Sequence, residues 1–170
     1  MTVVIDCNIF VMCLTSRSPY HIIYKALILG KYNLAITGEI LLEYEEIIQQ
    51  KYGISTANAL VALLKELPNV NFYTTYYRWQ LIKADADDNK YSDCAIAGGA
   101  NYLVTEDKHF DVLKRIDFPK LATLSIDEFT AMLMPLNNVL NDAISDTIDY
   151  AIKNDGEASI RLANAGNNDR

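Results

Sequence analysis

The stretch "DADDNKYSDCAIAGGANYLVTEDKHF", residues 85–110, carries six acidic side chains among its 26 residues: Asp85, Asp87, Asp88, Asp93, Glu106 and Asp107. They flank a segment that otherwise reads as core. "DDNKYSDCAIAGGA" has the pattern of a helix with an acidic first turn, and "YLVT" (102–105) that of a short buried strand. A helix feeding a buried strand, with carboxylates before the one and behind the other, is a building unit of α/β proteins.

The same alternation extends toward the N-terminus. "TVVID" (2–6) is a β-branched apolar run of the kind found in buried parallel strands, and "LAIT" (34–37) and "VNFYT" (70–74) are two more. Between them, "SPYHIIYKALILG" (18–30) reads as a helix with Ser18 as N-cap, Pro19 in the first turn and Gly30 as its stop. "GEILLEYEEIIQQKYG" (38–53) spaces Ile40, Leu41, Tyr44, Ile47 and Ile48 on one helical face, and "STANALVALLKEL" (55–67) is a further helix ended by Pro68. Beyond the opening stretch come a short helix over 108–115, a fifth strand "LATL" (121–124), and "SIDEFTAML" (125–133), which opens with a Ser-x-x-Glu capping box. Short apolar strands alternating with helices predict a three-layer α/β domain around a mainly parallel sheet of about five strands. That domain spans 1–134. From 135 to 170 the pattern changes to an amphipathic helical tail, with a stripe from Leu136 through Val139, Leu140, Ala143, Ile144 and Ile148 to Ile152, ending in the polar "NAGNNDR".

At 170 residues, 51% hydrophobic and 22% charged, the chain has the size and composition of one globular domain. No apolar run reaches the ~20 residues of a membrane span, and "MTVVIDCNIF" lacks the features of a signal peptide, so the expectation is a cytoplasmic protein. Three cysteines without a C-x-x-C spacing argue against a disulfide scaffold or zinc site. The net charge of −7 speaks at first against a nucleic-acid partner. Setting aside five acids as metal ligands takes it from −7 to −2, so the charge is compatible with a phosphate-bearing substrate.

The strand assignments place Asp6 at the end of the first strand and Asp107 two residues past "YLVT". Glu43 lies in the first turns of the helix after "LAIT", and Asp88 and Asp93 lie in the helix leading into "YLVT". In open parallel sheets ligands bind at the carboxyl ends of the strands. Two carboxylates ~4 Å apart repel by about 4 kcal/mol at an effective dielectric of ~20, so several together must share protons or hold a cation. All-oxygen ligands select hard ions, Mg²⁺ or Mn²⁺, which suit hydrolysis of phosphate esters.

These residues resemble the PIN-domain nucleases. The strand ending in "VVIDCNIFV", the helix Glu in "EILLEYEEII", the acidic "DADDNKY" and the closing "GGANYLVTEDKHF" follow that family's order over about residues 2–130. The likeness is strongest to the branch containing toxins of toxin–antitoxin pairs. It implies a metal-dependent endoribonuclease on a parallel sheet, using in-line attack by activated water with no protein nucleophile. Asp6, Glu43, Asp88 and Asp107 match the family's metal-binding acids, with Asp93 as a fifth member. Asn8 and Thr105 match polar positions supporting them. Asp6 and Asp107 would hold the principal metal, and Glu43 and Asp88 would complete or bridge it. Arg17, Lys90 and Lys108 are candidates for the RNA backbone. The resemblance further implies a small antitoxin partner and homodimers. Cys7 departs from the family's usual Thr, and the tail from 136 extends past its usual ending.

Taken singly, each acid has a plainer reading: Asp6 as a strand-end turn residue, Asp88 as an N-cap, Asp93 as a solvated helix position, Glu43 as part of an exposed Glu43/Glu45/Glu46 face. Asp85 and Asp87 read as surface charge, and His21 and His109 as structural histidines. Tyr73, Tyr76, Tyr77 and Trp79 read as core or edge packing. An aspartyl phosphatase would need a second Asp where Asn8 stands, and a phosphoacceptor an acid pair where Cys7 and Asn8 stand. The rival from another class is a catalytically idle PIN-fold module that binds a protein.

Overall fold

The computed structural model describes residues 1–135. The expected tail helix of 136–153 and the segment after it lie outside the described residues. Residues Met1–Leu133 form one compact unit.

Five strands, β1 (Thr2–Ile5), β2 (Asn33–Ile36), β3 (Val70–Phe72), β4 (Tyr102–Val104) and β5 (Ala122–Leu124), form one sheet in the order β3-β2-β1-β4-β5. Every pairing is parallel, with Val3 opposite both Leu34 and Tyr102, and Ile5 opposite Val104. The central strands are covered on both faces: Val3, Val4, Ile5, Leu34, Ala35, Ile36, Leu103 and Val104 are all completely buried. That double burial is why these strands are continuous apolar runs instead of alternating ones. The expected parallel α/β architecture is the one observed.

The helices are α1 (Cys7–Leu14), α2 (His21–Ile28), α3 (Gly38–Tyr52), α4 (Ile54–Glu66) and α5 (Asn89–Ala97). Lys108–Arg115 is 3-10 helical, and residues 126–135 are helical. Helix α1 escapes the sequence pattern because "CNIFVMCL" is apolar almost all round; Asp6 starts it by accepting a hydrogen bond from Asn8 N. The Phe10 ring stacks on Tyr44 of α3 at 4.3 Å, and the Tyr44 hydroxyl donates to Ile5 O, fixing α3 against the end of β1. Helix α2 begins at His21, later than expected, because Ser18 accepts from Tyr20 N in a local turn and does not cap the helix. Ser125 and Glu128 do form the expected capping box, and Glu106 also accepts from Ile126 N, so this acid caps a helix.

The topology positions the site. The chain builds outward from β1 to β2 and β3, then returns to lay β4 on the other flank of β1. The switch point therefore falls between β1 and β4, where a ligand crevice is expected beyond the carboxyl ends of the two strands.

Candidate active site

Asp6 follows β1 directly and Thr105 follows β4 directly, so the switch point brings them together. The Thr105 hydroxyl donates to Asp6 Oδ2 at 2.8 Å and accepts from Asp107 N at 3.0 Å. One side chain thereby ties the two strand ends and orients both aspartates. Asp6 is 6% exposed and Thr105 7%, whereas the Asp107 carboxylate reaches solvent. Burial raises the pKa of Asp6; hydrogen bonds from Thr105 and Asn8 oppose this, and the charges of Glu43 and Asp107 add to it. The carboxylates of Asp6, Glu43 and Asp107 are therefore electrostatic neighbours. Asn8 contributes its backbone N–H at 3.1 Å, a bond that does not use the side chain that marked it as a supporting polar residue.

Glu43 reaches the crevice from α3. Its Oε2 accepts from the Tyr91 hydroxyl and lies 3.2 Å from Lys90 Nζ, which also bonds Asp87. The Tyr91 hydroxyl in turn accepts from Cys7 N at 3.1 Å. The Cys7 thiol is buried, 3.8 Å from Glu43 O, and burial followed by the charges of Glu43 and Asp6 pushes its pKa up to about 12. A thiol so held cannot replace the outer hydroxyl that a Thr would offer.

On the other side, Asp88 Oδ2 lies 3.2 Å from His109 Nδ1, which is 3.4 Å from Asp107 Oδ1. Burial raises the pKa of Asp88, against the His109 hydrogen bond, with Asp85 and Asp107 raising it further. Asp88 stands at the N-cap position of α5 but makes no cap bond, and α5 has no acid in its first turn. The expected acidic first turn is thus one residue early, its carboxylate turned toward His109. Donor atoms of Asp85, Asp88 and His109 lie within 4.8 Å of one another. Asp85 and His109 were passed over as surface charge and structural imidazole; the D-x-x-D spacing and the His two residues after Asp107 are the signals that mark them. His21 is structural, its Nδ1 2.9 Å from Cys13 O.

Asp93 is placed elsewhere. Its Oδ1 accepts from Trp79 N at 3.0 Å, and the charges acting on it are those of Arg78 and Glu39. It anchors the 73–88 connection, as does Asn89, whose side chain bonds Ile82 N and O at 2.9 and 2.8 Å and the carbonyls of Asp85 and Ala86. Sequence reasoning missed Asn89, since an Asn within an acidic loop looks like solvated polarity. Asp93 lines an open cleft of about 830 Å³ together with Glu39, Glu43, Arg78, Lys83 and Lys90. Of the remaining cation candidates, Lys108 lies beside Thr105 and Asp107, and Arg17 is exposed after α1.

Four of the five expected acids, Glu43, Asp6, Asp107 and Asp88, thus form one connected row. Crowded carboxylates, with Asp6 and Asp88 held above their ordinary pKa by burial, fit a divalent metal, because such an ion stabilises the ionised forms that burial disfavours.

The family model of the PIN domain matches residues 2–109, and the chain belongs to the PIN-domain family. Its fold is similar to that of VapBC2 from Rickettsia felis, solved bound to a DNA fragment from its promoter, at 18% identity and a TM-score of 0.52, covering 74% of this chain and 98% of that one. It is likewise similar to VapBC-1 from nontypeable Haemophilus influenzae, at 16% identity and a TM-score of 0.52, covering 75% and 99%. No curated protein sequence matches the chain. Among the described residues, no helix is long and apolar enough to cross a membrane.

Proposed function

We propose that this chain is a metal-dependent endoribonuclease that hydrolyses RNA phosphodiester bonds, acting as the toxin of a toxin–antitoxin pair in the cytoplasm. The observation that carries the reading is the Asp6–Thr105–Asp107 link across the switch point, with Glu43 and Asp88 on either side. The motif likeness to the toxin branch supports the biological role, and the row of acids supports Mg²⁺ or Mn²⁺ as the cofactor. Asp6 and Asp107 would hold the ion, with Asp88 beside them. A bound divalent ion supplies an activated water and neutralises charge on the phosphoryl oxygens. Thr105 fixes the angle of Asp6, Tyr91 and Lys90 hold Glu43, and Lys108 would meet the RNA backbone. None of the cysteines serves as nucleophile, since burial holds all three thiols near a pKa of about 12. A small antitoxin that covers the crevice and a homodimer are the partners this role brings.

The test is incubation with structured and single-stranded RNAs in Mn²⁺, Mg²⁺ or EDTA, beside the variant Asp107→Asn. Cleavage that requires metal and vanishes in the variant is the expected result. Intact RNA together with an unchanged melting temperature in Mn²⁺ would overturn the reading and leave an idle protein-binding module.

A further inference from the structure

We propose that the Lys90 ammonium takes the place of a second metal ion, so that the centre holds one divalent cation and Glu43 serves as a lysine-bound anchor instead of a metal ligand. This rests on the metal-centre reading above and concerns how many ions that centre takes.

The residues that carry it are on α3 and α5. Lys90 Nζ lies 3.2 Å from Glu43 Oε2, and the lysine side chain is only 12% exposed, so its charge is committed to the site and not to solvent. The same Oε2 accepts from the Tyr91 hydroxyl, leaving that oxygen with two donors. Lys90 also bonds Asp87 and lies 5.5 Å from the centre of the Tyr91 ring, so three groups hold the ammonium in place.

The charge pattern divides accordingly. Glu43 and Asp87 have a resident cation between them. Among the described residues, Asp88 and Asp107 pair with the His109 imidazole, at 3.2 and 3.4 Å, and Asp6 and Asp85 make no ion pair. The uncompensated carboxylates lie on the β1/β4 side, and that is where an ion gains most. Two-metal hydrolases place a pair of ions about 3.5–4 Å apart to clamp both the attacking and the leaving oxygen. Here a fixed ammonium supplies positive charge on the Glu43 side without a second ion.

The experiment is Mn²⁺ titration of the full chain, with free Mn²⁺ read from its solution EPR signal. Wild type and Lys90→Arg are expected to bind one ion per chain. Lys90→Met, which leaves Glu43 and Asp87 unneutralised, is expected to bind two, and Lys90→Gln reads the same effect from a polar side chain. Adding Glu43→Gln to Lys90→Met removes a neutral pair as a unit and should restore one ion per chain. Two ions in the wild type would overturn the inference, because Lys90 would then be displaced by metal. One ion in both Lys90→Met and Lys90→Gln would overturn it as well. No bound Mn²⁺ in any of the proteins would overturn the metal-centre reading itself, an outcome distinct from either of these.

Discussion

The Thr105 hydroxyl offers a sharp test of how this site is assembled, because it can be deleted with almost no change of shape. In Thr105→Val a methyl replaces the hydroxyl. Two bonds disappear at once: the 2.8 Å donation to Asp6 Oδ2 and the 3.0 Å acceptance from Asp107 N. A hydrogen bond to a charged acceptor contributes about 1.5–3 kcal/mol, and a part-buried N–H left without a partner costs about 1–3 kcal/mol. The added methyl returns up to about 0.8 kcal/mol of apolar burial. The net expectation is a loss of roughly 2–5 kcal/mol. Thr105→Ser keeps both bonds and loses only a methyl, which costs about 1 kcal/mol at a buried position. Urea unfolding in EDTA at neutral pH reads the two variants against wild type. In a chain of this length the same differences appear as melting shifts of about 2–4 °C per kcal/mol. Valine should therefore be the more damaging substitution, although it matches threonine more closely in shape than serine does. If Thr105→Val proves as stable as Thr105→Ser, the hydroxyl is not what joins the two strand ends, and the argument for a pre-oriented Asp6–Asp107 pair fails.

Two other expectations follow from the same residues. Asn89→Ala removes a side chain that bonds Ile82 N and O and the carbonyls of Asp85 and Ala86, so the acidic loop should loosen; a loss of about 2–4 kcal/mol, read by urea unfolding, should accompany a smaller Mn²⁺-induced rise in melting temperature. For pH, Asp6, Asp88 and Asp93 all have folded-state pKa values raised above 3.8, chiefly by burial. The folded state therefore holds more protons than the unfolded chain above that value, so these three groups cost stability as pH rises from 3.8 through their raised pKa values. Metal-free protein should lose their contribution over that window, and saturating Mn²⁺ should flatten the loss, since bound metal favours the ionised carboxylates; an equal slope with and without Mn²⁺ would contradict the assignment.

The sheet was legible because a buried parallel strand is a short apolar run, and "TVVID", "LAIT" and "YLVT" are such runs bounded by polar residues. Helix α1 was not, because "CNIFVMCL" lacks the polar face that gives a helix its period; only Asp6 capping the following turn distinguishes it from more strand. The acids at strand ends were legible for a related reason. Asp6 and Asp107 need only the strand boundaries and the sheet order to be placed. The bond of Asp93 to Trp79 N was not legible, because helical spacing sets a residue's face but not the loop that crosses it. The connection over 73–88 has no periodicity, and it is this segment that brings Trp79 N to the Asp93 carboxylate. Asp85 and His109 were missed on the same ground, since each lies outside a regular α-helix or strand.

The placement of Asp93 bears on how the two sides of the molecule share work. Asp88 and Asp93 are five residues apart at the start of one short helix, yet one faces His109 at the crevice and the other the Arg78–Trp79 loop. Five residues advance an α-helix by about 500°, a net rotation of about 140°, so side chains at that spacing cannot share a face. Residues three or four apart can. Within "DADDNKYSDC" that rule puts Lys90 beside Asp87, as observed, and sets Asp93 on the side of Lys90, with which it lines the open cleft, away from Asp88. The helix therefore delivers its carboxylates in two directions: Asp88 toward the candidate metal, Asp93 into the backbone of the segment that brings Asp85 beside Asp88. Asp93 holds that segment through Trp79 N, and its replacement by Asn, which keeps an oxygen acceptor for that N–H, should disturb metal binding far less than the same change at Asp107.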